Sequence, residues 1–408
     1  MTRVVVISDI HFGKLARSKD FSVPGEFTKD NTSGNMPLYE GLKLLIKEMK
    51  PQYFLVAGDI TSSADSQEFY YCEKKILELA EFVDVRRENI ICCTGNHDVD
   101  WKISELYRKK ELDTEDENDI NNDRKNKYQE IAAHVPIICM KGLYNEKMNG
   151  PAPFSGIVEG ADFVIFVLNT GWKCGPYQKY SHGELSSAQL RWFEETLKQF
   201  NFDHRKKIVL MHHHPFNYPY PSIGEDISQI IEGAEFCEIA ERNGIDIVIH
   251  GHRHHPKVKT LHTSGLSPIS YFCAGSLSVN AEHRSNGEIP NTVHFIDVDK
   301  NLDYFVLHNF SFTDAEGWKK TENRKETPLD AVMKIGRVSD LEACKEKIKN
   351  YKKIEDDYIK LDWEKMDEEL QFLTCDEVMD LMKTELSDTH EIIGKFPDSI
   401  MLFRKGTV

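Results

Sequence analysis

The chain is predicted to be an α/β protein with a small appended C-terminal unit. In its first half, short apolar runs rich in β-branched residues alternate with amphipathic helical patterns. That alternation is typical of βαβ units, in which helices connect parallel strands. Most of the apolar runs end in a short polar segment, and such sheets carry their sites at the carboxyl ends of strands. At 408 residues the chain is long enough for one large domain and an appendage, or for two domains.

The composition predicts a cytoplasmic protein without a membrane span. The chain is 40% hydrophobic and 29% charged, and no apolar run approaches the roughly 20 residues that cross a bilayer. The run Val4–Ile7 is too short for the core of a signal peptide. Nine cysteines without a CxxC pair predict neither a disulfide framework nor a cysteine zinc site. A formal net charge of −16 argues against non-specific nucleic-acid binding, which needs lysine and arginine.

The first hundred residues contain three predicted strands and two predicted helices. Residues 3–8 form an apolar run that stops at Asp9, and a polar loop follows to about Pro37. Apolar residues recur at helical spacing over 42–49, and Pro51 ends that helix. The remaining elements are a strand at 53–57, a helix at about 66–82 and a strand at 89–94.

The chain from residue 101 to residue 310 continues this alternation after one interruption. The acidic stretch within 101–150 has few core-forming residues, which favours a solvated insertion over an acidic lid. Ser186 and Ser187 are suitable caps for a helix that runs through Leu197. The further predicted elements are a hairpin at 154–168, strands at 207–211 and 245–249 around a helix at 235–243, and strands at 269–274, 293–298 and 304–307.

The last part of the chain, residues 311–408, is predicted to form a small, mainly helical appendage. Residues 324–384 are rich in lysine, glutamate and aspartate. Apolar residues return at helical intervals within this stretch, as at Leu341, Cys344 and Ile348. The predicted organisation is therefore one domain over 1–310, followed by this appendage.

Five polar segments at predicted strand ends contain side chains that bind divalent metals. They are Asp9-Ile10-His11, Gly58-Asp59, Gly95-Asn96-His97-Asp98, His212-His213-His214-Pro215 and Gly251-His252-Arg253-His254. Each segment alone is weak, because it could equally be a turn, a helix cap or surface polarity. Their joint occurrence, each after a buried strand, predicts one site. Carboxylates, imidazoles and an amide oxygen suit Mn, Fe or Zn, and the absence of thiolates disfavours a structural zinc.

The residue types predict how two ions would be held. Phosphoryl transfer favours two cations about 3.5–4 Å apart with one carboxylate able to bridge them. Asp59, alone after a strand and a glycine, is the predicted bridge. Asp9 and His11 can both turn to the same ion, since the strand gives way to a loop there. Asn96 offers a neutral oxygen ligand to the second ion.

The histidines then divide into ligands and a catalytic group. His97 is predicted to protonate the leaving oxygen or to stabilise charge in the transition state. Asp98 is predicted to hold the His97 imidazole in one tautomer. The remaining ligands are expected from the histidine triplet and from His252 and His254.

Taken together, the five segments resemble the calcineurin-like metallophosphoesterase superfamily. Its pattern is Asp-x-His, Gly-Asp, Gly-Asn-His-Asp or -Glu, a single His and Gly-His-x-His, and all five blocks occur in this order across residues 9–254. The resemblance implies a four-layer αββα sandwich of two mixed sheets. It also implies two divalent ions, drawn from Mn, Fe, Zn and Ni, and a bridging hydroxide as the nucleophile.

The resemblance also implies a set of ligands. One metal would be held by Asp9, His11, Asp59 and His254, and the other by Asp59, Asn96, His213 and His252, with His97 catalytic. The family commonly has its single histidine ligand two places before a proline. That spacing selects His213, and His212 is the alternative.

The predicted activity is metal-dependent hydrolysis of a phosphodiester, with a small nucleotide or cyclic nucleotide as the substrate. Pro215 and the Asn-Thr-Gly after Leu168 resemble the cyclic-nucleotide phosphodiesterase branch more than the protein phosphatases. One alternative is a DNA or RNA nuclease. Its strand-binding groove would use loop cations, namely Lys14, Arg17, Lys19, Arg253, Lys257 and Lys259. The net negative charge weighs against a nuclease.

A second alternative belongs to another class of protein. The chain could be a catalytically weak scaffold or regulator that binds a protein partner, or a second copy, through its C-terminal helices. Every predicted ligand is present in the sequence, which weighs against a decayed site. No membrane partner is predicted.

Overall fold

A computed structural model describes the chain over residues 1–26, 37–99, 101, 155–171, 174, 182–200, 203–216, 228–262, 265–284, 287–324, 327–354, 356–396 and 398–405. The acidic insertion that we expect over 101–150 lies outside these residues, except for Trp101. Within the described residues, the chain forms two large mixed sheets, a small third sheet and six α-helices.

Up to strand β7 (Ile247–His250), the elements follow the alternation that the sequence predicts. The strands are β1 Thr2–Ile7, β2 Tyr53–Ala57, β3 Ile90–Cys93, β4 Gly156–Glu159, β5 Phe163–Val167, β6 Lys206–Leu210, β7 Ile247–His250, β8 Lys257–Leu261, β9 Ile269–Cys273, β10 Asn291–Val298, β11 Phe305–Thr313, β12 Gly317–Lys320, β13 Val332–Ile335, β14 Tyr358–Leu361, β15 His390–Gly394 and β16 Ile400–Arg404. The helices are α1 Leu38–Met49, α2 Ser66–Glu81, α3 Ser187–Gln199, α4 Gly233–Arg242, α5 Leu341–Lys349 and α6 Cys375–Leu386.

Both large sheets are mixed, with parallel strands at one side of the first sheet and at the centre of the second. The first has the order β12-β11-β10-β1-β2-β3, and β13 also pairs with β11. Its strands β1, β2 and β3 are mutually parallel, whereas β10 is antiparallel to β1. The second has the order β4-β5-β6-β7-β9-β8, with β5, β6, β7 and β9 parallel and antiparallel strands at both edges. The prediction of two mixed sheets is therefore confirmed.

The two sheets pack face to face, and helices cover their outer faces. One buried cluster joins Val4 and Val6 of β1 to Ile208 and Leu210 of β6. The alternate residue Val5 lies in a different cluster, together with side chains of α1 and α2. A third cluster joins the second sheet to α3 and α4. Strands buried on both faces read as continuous apolar runs, and the four layers confirm the predicted αββα sandwich.

Local signals set the ends of the helices. The Ser186 hydroxyl accepts a hydrogen bond from the Gln189 N–H at the start of α3, as the predicted cap requires. The Asp65 carboxylate caps α2 by accepting from the Gln67 N–H. Helix α1 ends at Met49, and the next residue, Lys50, has a left-handed backbone with φ of 52°. Pro51 follows and cannot continue the helix.

The chain after β11 contributes to two different parts of the molecule. Strands β12 and β13 extend the first sheet beyond residue 310, where we expected the domain to end. The chain then forms α5, α6 and a three-stranded antiparallel sheet in the order β14-β16-β15, around a core of its own. The two helices were expected from the spacing of apolar residues. The small sheet was not, because its strands are only four or five residues long and partly exposed.

The longest helix of the described residues is α2, with 16 residues. None of the helices in this part of the chain combines the length and the apolar character that crossing a bilayer requires.

Candidate metal centre

The five polar segments lie together at one edge of the sandwich, where parallel strands of both sheets end. In the first sheet, β1, β2 and β3 lead to Asp9, Asp59 and Asn96. In the second sheet, β6 and β7 lead to His212 and His252. The carboxyl ends of parallel strands lie at one edge of a sheet. Because the two sheets pack face to face, these two edges supply one site.

Five residues of this site have a left-handed backbone. The φ angles of Asp9, His11, Asp59, His252 and His254 lie between 47° and 70°. Residues other than glycine rarely adopt this region, although aspartate and histidine do so more readily than most. Each such residue costs of order 1–3 kcal/mol, and such residues cluster at functional sites. The turns bring residues that are two positions apart, such as Asp9 and His11, to the same point.

Gly251 allows the last polar segment to approach the first. A Cβ atom at this position would collide with the Ser8 hydroxyl and the Asp9 carboxylate. The close approach lets the backbone N–H of His252 donate to both carboxylate oxygens of Asp9, at 3.1 and 3.0 Å. The Ser8 hydroxyl donates to Asp9 Oδ2 at 2.5 Å. Asp9 is therefore held in place by Ser8, which precedes it in the chain, and by the backbone of His252 in the last polar segment.

The first group of ligand atoms consists of two carboxylates and two imidazoles. His11 Nε2 lies 3.0 Å from His254 Nε2, 3.5 Å from Asp59 Oδ2 and 3.9 Å from Asp9 Oδ1. His254 Nε2 lies 3.2 Å from Asp9 Oδ1. The side chains of Asp9, His11 and Asp59 are buried almost completely. These four residues form one compact group of possible metal ligands.

The second group is centred on His212. Its Nε2 atom lies 3.2 Å from Asn96 Oδ1, 3.3 Å from Asp59 Oδ2 and 3.2 Å from His252 Nδ1. His252 Nδ1 lies 2.8 Å from Asn96 Oδ1. Asp59 Oδ2 thus faces a histidine of each group, at 3.5 Å from His11 and 3.3 Å from His212. A carboxylate oxygen in this position can be shared between two ions.

The donor set fits divalent cations, because most of the converging atoms carry lone pairs and no proton. His212 Nδ1 lies 2.8 Å from the carbonyl oxygen of Ala57, so the proton of the neutral ring lies on Nδ1 and Nε2 is bare. His254 Nδ1 lies 2.8 Å from the carbonyl oxygen of His283, which leaves its Nε2 bare as well. Lone pairs of nitrogen and carboxylate oxygen that face each other at these distances repel unless a cation lies between them. Nitrogen and oxygen ligands without sulfur suit Mn, Fe, Zn or Ni.

The electrostatics of the site also favour bound positive charge. Burial lowers the pKa of His11 and of His252 well below the ordinary value, which favours the neutral rings that bind metals. Burial acts in the same direction on His212, but the Asp59 carboxylate outweighs it and raises the pKa of His212 to about 9, so a proton occupies Nε2 at neutral pH unless a metal ion displaces it. The pKa of Asp59 lies well below its usual range in spite of burial, chiefly because of His212. The centre therefore attracts a cation.

His97 lies beside the first group, but Asp98 does not orient its ring. His97 Nδ1 lies 2.8 Å from the carbonyl oxygen of Ser62. Asp98 instead accepts hydrogen bonds from the backbone N–H of Thr61 at 2.9 Å and from that of Gly95 at 2.9 Å. Its two oxygens are thus committed to the backbone of the neighbouring loops. The role that we expected for Asp98 is taken by the carbonyl group of Ser62.

The structure also distinguishes the histidines of the triplet. His213 Nδ1 lies 2.8 Å from Thr170 Oγ1, and His213 Nε2 lies 3.7 Å from Cys174 Sγ. The ring of His213 remains near the centre, 4.5 Å from that of His252 between ring centroids. Only His212 has a ring nitrogen within 3.3 Å of both Asn96 and Asp59 among the described contacts. His212, His213 and His252 together form a second compact group of possible metal ligands. The expected His213 therefore stays a predicted ligand beside His212, whose Nε2 atom faces Asn96 and Asp59.

Two groups near His97 were not expected from the sequence. The first is the Ser62 carbonyl, which no sequence pattern can show because every residue has a carbonyl. The second is Trp101, whose ring lies 5.1 Å from that of His97 and whose indole N–H donates to the Asn96 carbonyl at 2.9 Å.

The family model described as calcineurin-like phosphoesterase matches residues 2–256. A search among curated proteins found no significant match. Among solved structures, a dimetal phosphatase from Danio rerio is 11% identical with a TM-score of 0.48, over 83% of this chain and 99% of that chain. Vps29 from Chaetomium thermophilum is 11% identical with a TM-score of 0.31, over 82% of this chain and 97% of that chain.

Proposed function

The chain belongs to the calcineurin-like phosphoesterase family, and from this premise we propose that it is a phosphodiesterase that depends on two metal ions. We propose a nucleotide or a cyclic nucleotide as its substrate. The observation that carries the proposal is the position of Asp59 Oδ2, which faces His11 on one side and His212 on the other. A carboxylate in this position can be shared by two ions about 3.5–4 Å apart, the spacing of two-metal sites.

The proposed ligands follow the two groups of atoms. Asp9, His11, Asp59 and His254 would hold one ion, and Asp59, Asn96, His212 and His252 would hold the other. Mn, Fe, Zn or Ni could occupy either position, because the ligands are imidazole nitrogens and carboxylate or amide oxygens. We assign His212 and not His213 to the second ion because His212 Nε2 faces both Asn96 and Asp59.

When bound, such ions neutralise charge on a phosphoryl group and supply hydroxide at neutral pH. The residues of the chain have separate tasks. Asp59 Oδ1 accepts a hydrogen bond from the backbone N–H of His97 at 2.8 Å, which places His97 against the centre. The Ser62 carbonyl binds His97 Nδ1, so Nε2 is the atom that would deliver a proton to the leaving oxygen. Asn96 is kept in place through its own carbonyl by Trp101.

The proposed substrate class rests on the segment that follows β5. Asn169 Oδ1 accepts hydrogen bonds from the Thr94 hydroxyl at 2.9 Å and from the Gly171 N–H at 3.0 Å. These hydrogen bonds connect the segment to Thr94, which directly precedes the loop that carries Asn96 and His97. An Asn-Thr-Gly sequence at this point resembles the cyclic-nucleotide phosphodiesterase branch.

The cytoplasmic location predicted from the sequence also stays a prediction.

A substrate screen tests the proposed function. Purified protein would be assayed with added Mn on cyclic nucleotides, dinucleotides, phosphomonoesters and a short single-stranded DNA. We expect the highest turnover on a cyclic nucleotide or a dinucleotide, and chelation of the metal should abolish it. Highest turnover on DNA, lost on raising salt, would favour the nuclease instead. No metal-dependent turnover on any substrate would favour a scaffold.

A further inference from the structure

We propose that Glu68 is a positioning residue for His97 and that it acts through the peptide unit between Ser62 and Ser63. The inference rests on the proposed function, in which His97 protonates the leaving oxygen. Glu68 belongs to none of the five polar segments. It lies in the first turn of α2, and its side chain is buried, with 2% of the residue exposed.

The contacts of Glu68 lie on the loop that holds His97. Glu68 Oε2 accepts hydrogen bonds from the Ser63 N–H at 2.8 Å and from the Ser62 N–H at 3.1 Å. The carbonyl oxygen of Ser62 lies 2.8 Å from His97 Nδ1. The loop at Ser62 and Ser63 is therefore bound by the Glu68 carboxylate on one side and by the His97 imidazole on the other.

The link between these two contacts is a single peptide unit. The Ser62 carbonyl and the Ser63 N–H belong to the same peptide bond, which is planar and holds the two groups in opposite directions. A carboxylate that binds the N–H therefore aims the carbonyl at His97. Hydrogen bonds in such a chain also polarise each other, so the negative charge of Glu68 makes the Ser62 carbonyl a stronger acceptor. The arrangement resembles the carboxylate–histidine pair of other enzymes, with one peptide unit inserted.

The surroundings of Glu68 keep its carboxylate in this position. A Cβ atom at Gly13 would collide with the Glu68 carboxylate, and Gly13 has φ of 121°, so the backbone at Gly13 packs directly against it. Burial raises the pKa of Glu68, and the hydrogen bonds from Ser63 oppose that shift. A buried carboxylate costs free energy of folding unless hydrogen bonds compensate for the lost water.

A purely structural role is the alternative, since the loop also supports the metal ligands. The Ser62 hydroxyl donates to the His11 carbonyl at 2.7 Å, and loosening this loop could disturb the first metal group. The two roles differ in one measurable respect. A general acid matters most when the leaving group is a poor one. A disturbed metal group would slow the hydrolysis of all esters.

The test compares two diesters, bis(p-nitrophenyl) phosphate with an acidic leaving phenol and diphenyl phosphate with a less acidic one. Wild type, His97→Ala, Glu68→Ala, Glu68→Gln and the double variant Glu68→Ala/His97→Ala would be assayed with Mn, and bound Mn would be measured for each. We expect His97→Ala to lose about 10²–10⁴-fold on diphenyl phosphate and much less on the nitrophenyl ester. Glu68→Ala should lose about 10–100-fold on diphenyl phosphate only, and keep its metal.

Two further variants make the test specific. Glu68→Gln keeps an oxygen for the Ser63 N–H and loses the charge, so its loss on diphenyl phosphate should be smaller than that of Glu68→Ala. Glu73→Ala, on the same helix, removes only a partner of Arg87 and should leave both activities unchanged. In the double variant, the loss of Glu68 should add nothing to the loss of His97.

Each contrary result has a separate meaning. Equal losses on the two esters in the Glu68 variants, a loss of metal, or additive losses in the double variant would overturn the positioning role alone. If Glu68→Ala does not fold, Glu68→Gln decides by the same criterion. If His97→Ala itself loses equally on both esters, His97 is not the acid and the inference falls with that assignment. If the wild type hydrolyses neither these esters nor any substrate of the screen with Mn, the proposed function fails.

Discussion

Asp59 shows at the scale of a residue how one side chain can serve two ions. Its Oδ2 atom faces both groups of ligands, and its Oδ1 atom accepts from the backbone of His97. Gly58, with φ of 82°, lets the His212 ring lie against the turn that carries Asp59. The end of β2, Gly58 and Asp59 therefore act together to place the shared carboxylate.

His212 and His213 provide a matched pair for testing the second ion. We predict that His212→Ala loses about half of the bound Mn and most of the activity, because His212 Nε2 faces Asn96 and Asp59. His213→Ala should keep its metal, since its ring nitrogens face Thr170 and Cys174. Metal analysis of both variants after loading with Mn gives the answer. Metal loss in His213→Ala with none in His212→Ala would reverse the assignment.

The ligand types could be predicted from the sequence, but not every individual ligand. Ile208 and Leu210 lie in the core between the sheets, whereas Val209 and Met211 lie on the helix side. The alternation of a strand therefore places His212 toward the other sheet. Counting by two from the strand would have selected His212 over His213. The role of Ser62 could not be read in this way, because it depends on the direction of a carbonyl group.

At the scale of the element, an ion pair links the N-terminal strand to β10 and β11. Arg3 binds both carboxylate oxygens of Asp297, with Nε–Oδ1 at 2.6 Å and Nη2–Oδ2 at 2.7 Å. His308 Nε2 lies 3.0 Å from Asp297 Oδ2. Burial raises the pKa of Asp297, but these partners outweigh it and bring the pKa to about 2. These contacts link β1 to β10 and β11 at the end of the sheet that is remote from the metal centre.

The low pKa of Asp297 makes its contribution to stability depend on pH. A carboxylate with a depressed pKa stabilises the fold above its unfolded value of about 3.9, and this contribution is lost as the pH falls toward its folded value. We predict that Asp297→Asn lowers the free energy of unfolding by about 1–2 kcal/mol at pH 7. The difference from wild type should shrink between about pH 4 and pH 2.

Urea unfolding of wild type and variant across this pH range measures the effect. Asp398→Asn removes an exposed carboxylate and should change stability by less than about 0.5 kcal/mol. A deficit in Asp297→Asn that stays constant from pH 7 to pH 3 would show that lost packing, and not the charge, is responsible.

The elements differed in how well the sequence predicted them. Strands buried on both faces, such as β1 and β6, are continuous apolar runs and were predicted within one or two residues. Strand β14 alternates between partly buried and exposed positions over four residues, and gives too short a pattern to recognise. Its pairing with β16 depends on residues about forty positions later in the chain, which a local pattern cannot show.

At the scale of the whole molecule, the C-terminal unit has a core separate from that of the sandwich. Met382 and Leu370 lie fully buried in this core, with side chains of α5 and α6. One contact that joins the two parts is the Asp330 carboxylate, which accepts from the Cys375 N–H at the start of α6 at 2.7 Å. The metal centre lies at the other core, so the two parts should respond separately to core mutations.

We predict that Met382→Ala destabilises the C-terminal unit by about 2–5 kcal/mol and leaves the metal content unchanged. The neighbouring exposed residue supplies the control, Lys383→Ala, whose effect should stay below about 0.5 kcal/mol. Hydrogen exchange of the two regions, with metal analysis of the same samples, would report both quantities. Loss of metal in Met382→Ala would show that the two parts are not independent.

The number of metal ions per chain tests the central claim most directly. Wild type and Asp59→Asn would be loaded with Mn, freed of excess metal and analysed for Mn per chain. We predict about two ions in the wild type and about one or fewer in Asp59→Asn, because the variant loses the shared carboxylate charge. A wild type that binds no Mn, or an Asp59→Asn variant that binds as much as the wild type, would contradict a centre bridged by Asp59.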